Sequence, residues 1–161
     1  MISFDRRALL GAGFAGIAMA ALAISRSPAD AGTGSYKLTP AQWRRKLGDQ
    51  RFRILREQGT ERAWTSPLLK EKRKGVFACA GCGLPLFSSA AKYDSGTGWP
   101  SFWQALPNAI GTRRDTSLFM DRVEEHCRRC GGHLGHIFDD GPRPTGKRHC
   151  INGLSLIFRP A

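Results

Sequence analysis

The chain has 161 residues, 41% of them hydrophobic, with nine Phe and four Trp: enough apolar material for one domain with a real core, and too much for disorder throughout. Its 25 Lys and Arg against 13 Asp and Glu give a formal net charge of +12, which attracts nucleic acid, anionic lipid or acidic protein surfaces without naming any of them. Charges scattered as these are belong more often to a solvated basic surface.

Residues 1–31 read as an export signal. The pair Arg6 and Arg7 precedes an uncharged run from Ala8 to Ile24, and an Ala-x-Ala follows at Ala29 to Ala31. A paired arginine ahead of a run diluted by Ala and Gly suits the twin-arginine route better than the general secretory one, which places the protein in the periplasm. The alternative is an uncleaved anchor, but the 17-residue run is shorter than the about 20 apolar residues of a spanning helix. A cleaved leader without lasting membrane association is the expectation. The leader holds three Arg and two Asp, which leaves 22 basic and 11 acidic residues and a net charge of +11.

Residues 32–37 read as a tether, and residues 38–161 as one domain. In "LTPAQWRRKLGDQRFRILREQGTE" the pattern predicts two short helices. Thr39 caps the first, Pro40 takes its first position and Gln42 completes a capping box; Asp49 caps the second and Gly59 stops it. Trp43 with Leu47, and Phe52 with Leu55, give each piece an apolar stripe for packing. Beyond Glu61 the chain breaks into short runs between Gly, Pro and Asp. "GVFACA", "LPLFSS", "TSLFMDRVEEHC", "HLGHIF" and "HCINGLSLIF" are the best strand candidates, so the fold class is mainly β.

"CAGCG" sets Cys79 and Cys82 two residues apart, and "CRRCGG" does the same for Cys127 and Cys130. Each Cys-x-x-Cys wraps one edge of a metal ion, and Gly83 and Gly131 permit the tight turn that follows. Four thiolates in tetrahedral array suit Zn²⁺ in a closed structural site. Two disulfides are the alternative, because an exported chain enters an oxidising compartment. A twin-arginine substrate folds before export, however, so zinc can be loaded in the reducing cytoplasm. The doubled spacing favours zinc.

Cys150, in "GKRHCINGL", is left over. An odd cysteine in an exported protein is buried and inert, paired between chains, or reactive. In extended geometry Arg148, Cys150 and Asn152 share one face, and His149 and Ile151 the other. A guanidinium beside a thiol favours the nucleophilic thiolate, and Asn152 can donate to a polar group near the sulfur. Upstream, "KYDSGTGWPSFW" carries Trp99 and Phe102, whose faces suit a methyl-thio group, although core packing explains them equally well. His133 and His136 face opposite sides of a regular strand, so only one can serve the site unless Gly135 bulges. A histidine titrates where a proton donor should, and a satisfied structural histidine is the alternative for either.

"CAGCG", "YDSGTGWPSFW" and "CRRCGGHLGHIFDDGPRPTGKRHCING", in that order, resemble a zinc-containing peptide-methionine (R)-sulfoxide reductase of the B type, from Leu38 onward. The resemblance implies two antiparallel sheets with short N-terminal helices, stapled by one Zn²⁺ remote from the catalytic cysteine. The implied reaction is reduction of the R epimer of methionine sulfoxide in proteins. Cys150 matches the family nucleophile; Cys79, Cys82, Cys127 and Cys130 match its zinc ligands. Trp99 matches the wall for the substrate methyl, with Phe102 and Arg148 as further substrate contacts. His136 and Asn152 match the polar groups at the sulfoxide, and His133 is a weaker candidate. Many relatives carry a resolving cysteine where Thr97 stands here, so an external thiol is the expected reductant of a Cys150 sulfenic acid. A monomer is expected. The rivals are a non-catalytic zinc-stapled binding module and a nucleic-acid-binding zinc protein using Arg128 and Arg129; export argues against nucleic acid as a partner.

Overall fold

A computed structural model of the protein describes residues 36–117 and 120–161. Residues 1–35, which include the expected leader and most of the expected tether, lie outside the described residues. Among the described residues no helix is long and apolar enough to cross a membrane.

The capping box forms as its spacing requires. The Gln42 N–H donates to Thr39 Oγ1 at 3.3 Å, the Thr39 N–H to Gln42 Oε1 at 2.7 Å, and helix α1 runs Pro40–Glu57. The two expected helices are thus one element with a break inside it. Gly48, at φ 70° and ψ 163°, leaves helical geometry in a region that only glycine enters readily. Asp49, expected to cap the second piece, instead accepts from Arg44 at 2.9 Å. The stop is also one residue early: Gln58, not Gly59, takes the left-handed conformation, at φ 55° and ψ 34°, and its N–H bonds to the Arg53 carbonyl. Trp43, Phe52, Ile54 and Leu55 are buried, so both apolar stripes are packing surface.

Among the described residues nine strands follow, and every pairing is antiparallel. They are β1 (Gly75–Cys79), β2 (Pro85–Ser88), β3 (Lys92–Tyr93), β4 (Ser101–Phe102), β5 (Ile110–Asp115), β6 (Arg122–Cys127), β7 (His133–Phe138), β8 (Arg148–Ile151) and β9 (Leu156–Pro160). One sheet has the order β2-β1-β9 and the other β3-β4-β8-β7-β6-β5. The core is an aromatic cluster. Phe102 stacks on Phe87 with centroids 4.4 Å apart and meets Phe77 edge-on at 5.0 Å, with Leu86, Leu134, Ile151 and Leu156 around them.

Two elements differ from the sequence pattern. The run "HCINGLSLIF" is two strands in two different sheets: at Gly153–Ser155 the chain makes a 3-10 turn and crosses from β8 to β9. Strand β5 has no apolar alternation. Its Arg113 pairs with Glu124 and its Arg114 with Asp121 at 2.8 Å, so cross-strand charges hold this edge of the sheet. Of the segment ahead of Arg122, expected to be strand, Thr116, Ser117, Met120 and Asp121 are not in one, and Leu118 and Phe119 lie outside the described residues.

Because nothing lies near the position of a Gly48 side chain, Gly48→Ala carries only the backbone strain. Urea denaturation should show a loss of about 1–3 kcal/mol; no loss would mean that the break relaxes into a continuous helix.

Candidate functional site

The four paired cysteines meet. Cys79 closes β1, Cys127 closes β6, and Cys82 and Cys130 sit in the turns that follow. Both turns are built alike. Gly83 (φ 72°) and Gly131 (φ 67°) send their N–H groups back to the Cys79 and Cys127 carbonyls at 2.7 and 2.8 Å. All four are free thiols whose sulfurs lie within 4.8 Å of one another, with Cys79 to Cys130 at 3.7 Å and Cys82 to Cys127 at 3.5 Å. A tetrahedron with Zn–S bonds of about 2.3 Å has edges of about 3.8 Å, so the donor set fits zinc and is far too open for disulfides. Hydrogen bonding among the sulfurs lowers Cys82 and Cys127 and raises Cys79 and Cys130. A divalent cation removes that competition by taking all four as thiolates. Zinc therefore holds the end of the three-stranded sheet to the end of the six-stranded one. Helix α1 covers it, with Arg56 donating to the Cys130 carbonyl at 2.9 Å.

Cys150 lies outside that cluster, on β8, and opens into a cavity of about 170 Å³ lined by Trp99, Arg122, His136, Phe138, Cys150 and Asn152, among others. That volume is well below the about 300 Å³ at which pockets for drug-sized ligands begin. The cavity suits one side chain rather than a cofactor. The alternation expected of β8 holds, since Cys150 faces the cavity while Ile151 is buried and His149 turns inward to Glu125 at 2.5 Å.

In the β7–β8 register His136 stands directly opposite Cys150. Its Nε2 is 2.7 Å from Asp115 Oδ2, which also accepts from Arg122 at 2.8 Å. Ser117, donating through N–H and hydroxyl, and then His136 hold the Asp115 carboxyl well below the usual carboxylate range. Burial pushes the imidazole of His136 down, against the opposing pull of Asp115. The question left open by the spacing of His133 and His136 is answered by a bulge. Glu125 pairs with Gly135 and His126 with His133, so Leu134 is the extra residue, one position before the glycine expected to bulge. Both histidines consequently lie on one side, rings 5.5 Å apart and nearly perpendicular. His133 is a layer behind, buried, with Nδ1 2.7 Å from Glu124 Oε1, and it does not line the cavity.

Three expectations need correction. Phe102 is fully buried in the aromatic core on the far side of β4 and cannot wall the cavity. Arg148 is locked in a two-pronged pair with Asp140, at 2.7 and 2.8 Å, over the ring of Phe138 at 4.2 Å, and it does not line the cavity. Its pull on Cys150 is outweighed: burial pushes the Cys150 thiol above the ordinary cysteine value, although the Thr97 hydroxyl and Arg148 oppose it.

Glu61, Asp115 and Phe138 were not singled out by the sequence. Glu61 ties the site together. Its N–H donates to Asn152 Oδ1 at 2.8 Å, its carbonyl accepts the Trp99 indole N–H at 2.9 Å, and its carboxylate takes the N–H groups of Gly153 and Leu154. Asn152 also donates to the Leu134 carbonyl at 3.0 Å, which fixes its amide.

Residues 47–160 match the model of the SelR domain family. A peptide methionine sulfoxide reductase MsrB of Thiobacillus denitrificans is 57% identical over 123 residues, 76% of this chain and 93% of that protein. An MsrB of Leifsonia xyli is 50% identical over 81% of this chain and 97% of its own length, and one of Methanosarcina barkeri 50% over 73% and 84%. The chain belongs to the MsrB family. For this MsrB family member the match spans both cysteine knuckles and Cys150, and it begins at Leu47, inside α1.

The purified protein should contain one zinc per chain, with Cys150 the thiol that reacts first in the native state. Stripping zinc with a strong chelator should lower the melting temperature sharply and expose four more thiols to a chromogenic disulfide reagent. Glu61→Ala leaves two N–H groups without an acceptor and should cost about 2–4 kcal/mol in chemical denaturation.

Proposed function

We propose that this protein reduces the R epimer of methionine sulfoxide in oxidised proteins to methionine, with Cys150 as the nucleophile. The observation that carries this is the placement of one thiol, separate from the zinc cluster, in a side-chain-sized cavity directly across from the imidazole of His136. The indole of Trp99 and the ring of Phe138 receive the methyl and methylene groups of the substrate, while His136 and Asn152 face its oxygen.

The protons balance within the site. The Cys150 thiol gives its proton to His136, the sulfur attacks the sulfoxide sulfur, and the proton passes to the sulfoxide oxygen. The substrate's S–O bond and the newly formed S–S bond both break as the protonated oxygen moves to Cys150 Sγ, so methionine leaves and Cys150 remains as sulfenic acid. Two external thiols then return it to the thiol, releasing water and becoming a disulfide. The Asp115–Arg122 pair keeps the ring oriented through Nε2 and leaves Nδ1 for the transfer. Zinc takes no part in these steps; it holds the sheets.

The external reductant follows from Thr97, whose Oγ1 is 3.9 Å from Cys150 Sγ. A hydroxyl there cannot form the disulfide that a cysteine would. The nucleic-acid reading gains little, because Arg129 and Arg128 bond to the Cys82 carbonyl and Asn108 within the knuckle region. We further infer export to the periplasm by the twin-arginine route, supported by Arg6, Arg7 and the run from Ala8 to Ile24.

Cys150→Ser should abolish dithiothreitol-dependent turnover of a peptide methionine (R)-sulfoxide while leaving the circular dichroism spectrum and zinc content unchanged. Turnover that survives the substitution ends the proposal. Replacing Arg6 and Arg7 together by Lys should leave the full-length precursor in the cytoplasm; undiminished export would remove the twin-arginine assignment.

A further inference from the structure

Between the Trp99 carbonyl and the Cys150 sulfur lies a row of three hydroxyls. Ser101 Oγ is 3.1 Å from Trp99 O and 2.7 Å from Ser95 Oγ; Ser95 Oγ is 2.8 Å from Thr97 Oγ1; Thr97 Oγ1 is 3.9 Å from Cys150 Sγ. Ser101 is itself opposite Cys150 in the β4–β8 register and fully buried, so the row closes into a loop against the strand that carries the sulfur.

Each hydroxyl has one hydrogen to give, and the carbonyl at the far end can only accept. When Ser101 donates to Trp99 O, Ser95 must donate to Ser101 and Thr97 to Ser95. Thr97 then presents lone pairs to Cys150, and only a protonated sulfur completes the row. A thiolate has no hydrogen and requires the reverse. Thr97 donates to sulfur, Ser95 to Thr97 and Ser101 to Ser95, and the Trp99 carbonyl loses its bond. The row has two complete directions, and the state of the sulfur selects between them.

We propose that Ser95 and Ser101, which are not hydrogen-bonded to the sulfur and do not line the substrate cavity, are positioning residues whose hydrogen-bond direction couples the protonation of Cys150 to the carbonyl of Trp99. The reversal exchanges a neutral bond for a charge-assisted one of roughly twice the strength, while cooperative polarisation makes the three hydroxyls turn together. A sulfenic acid carries a hydrogen again, so the row returns to its resting direction once oxygen is on Cys150. Trp99 is the residue on which this acts: its indole N–H is pinned to the Glu61 carbonyl, and its own carbonyl is held at rest and released when the thiolate forms.

Other charged and titratable groups face Cys150, and none is bonded to the row. They are Arg148 on its own strand with Asp140, His136 across on β7 with Asp115 behind it, Arg122 from β6, and the Tyr93 hydroxyl from β3. Removing a hydroxyl of the row leaves these in place, which makes the row separable by experiment.

The inference rests on Cys150 being the reactive thiol. It is tested on the zinc-loaded enzyme with no sulfoxide present, by the pH profile of iodoacetamide alkylation followed on the Cys150 peptide by mass spectrometry. Thr97→Val deletes the hydroxyl donor to sulfur, leaving Arg148 in place, and should raise the midpoint by about one pH unit, with Thr97→Ser restoring it. Ser101→Ala releases the row from the carbonyl, and Ser95→Ala cuts it one step nearer to sulfur. Both should lower the midpoint, by about half a unit. Opposite signs for the two ends of one row are what a merely structural role does not produce. Midpoints that move the same way at Thr97 and at the serines, or serine variants that titrate like wild type, would overturn the proposal. Because resting sulfur is read rather than turnover, that failure leaves the reductase reading standing, whereas turnover surviving in Cys150→Ser removes both.

Discussion

The four-sulfur cluster is the constraint on which the rest depends, because it is where two separate sheets are forced into one register. Cys79 belongs to the end of a three-stranded sheet and Cys127 to the end of a six-stranded one, and the two following turns supply the other sulfurs. A cation that needs all four cannot be held unless both sheet ends stay in place. The second knuckle also sets where β7 begins, since His133 follows Cys130 by three residues. From that start the bulge at Leu134 brings His136 opposite Cys150. Metal and chemistry are thereby connected through one strand, without the metal meeting the substrate.

A second connection runs through Glu61, at the exit from the helix region. Main-chain and side-chain atoms of this one residue hold the indole of Trp99, the amide of Asn152 and the turn at Gly153 where the chain changes sheets. The cavity walls therefore come from distant parts of the sequence yet share a single support. Preorganisation of this kind lets a small cavity present its polar groups without paying to order them at each turnover.

Chemistry was more legible in the sequence than geometry. The knuckles and the leftover cysteine could be read because their meaning lies in spacing and count, and the alternation around Cys150 needed only the period of a strand. Phe102 departs from its expected place because an aromatic three residues past a wall residue reads the same whether it faces a cavity or a core; only the stack on Phe87 decides. Arg148 was given the thiolate as its partner, but Asp140, brought close by the turn between β7 and β8, satisfies it first. Strand β5 escaped because charge pairs rather than apolar alternation hold it, and Asp115, the partner of His136, escaped with it. Glu61 had no signal, since its three roles exist only once α1, the Trp99 turn and the end of β8 have converged.

The central claim is that one sulfur takes oxygen while four others hold a metal. Its most direct test is a single turnover: the zinc-loaded protein is mixed with an equal amount of a methionine (R)-sulfoxide peptide without reductant, and both are weighed by mass spectrometry. The account predicts one oxygen atom on the Cys150 peptide, an equal yield of reduced peptide and zinc fully retained. Oxygen or a disulfide on Cys79, Cys82, Cys127 or Cys130, with zinc released in step with the reduced peptide, would contradict it.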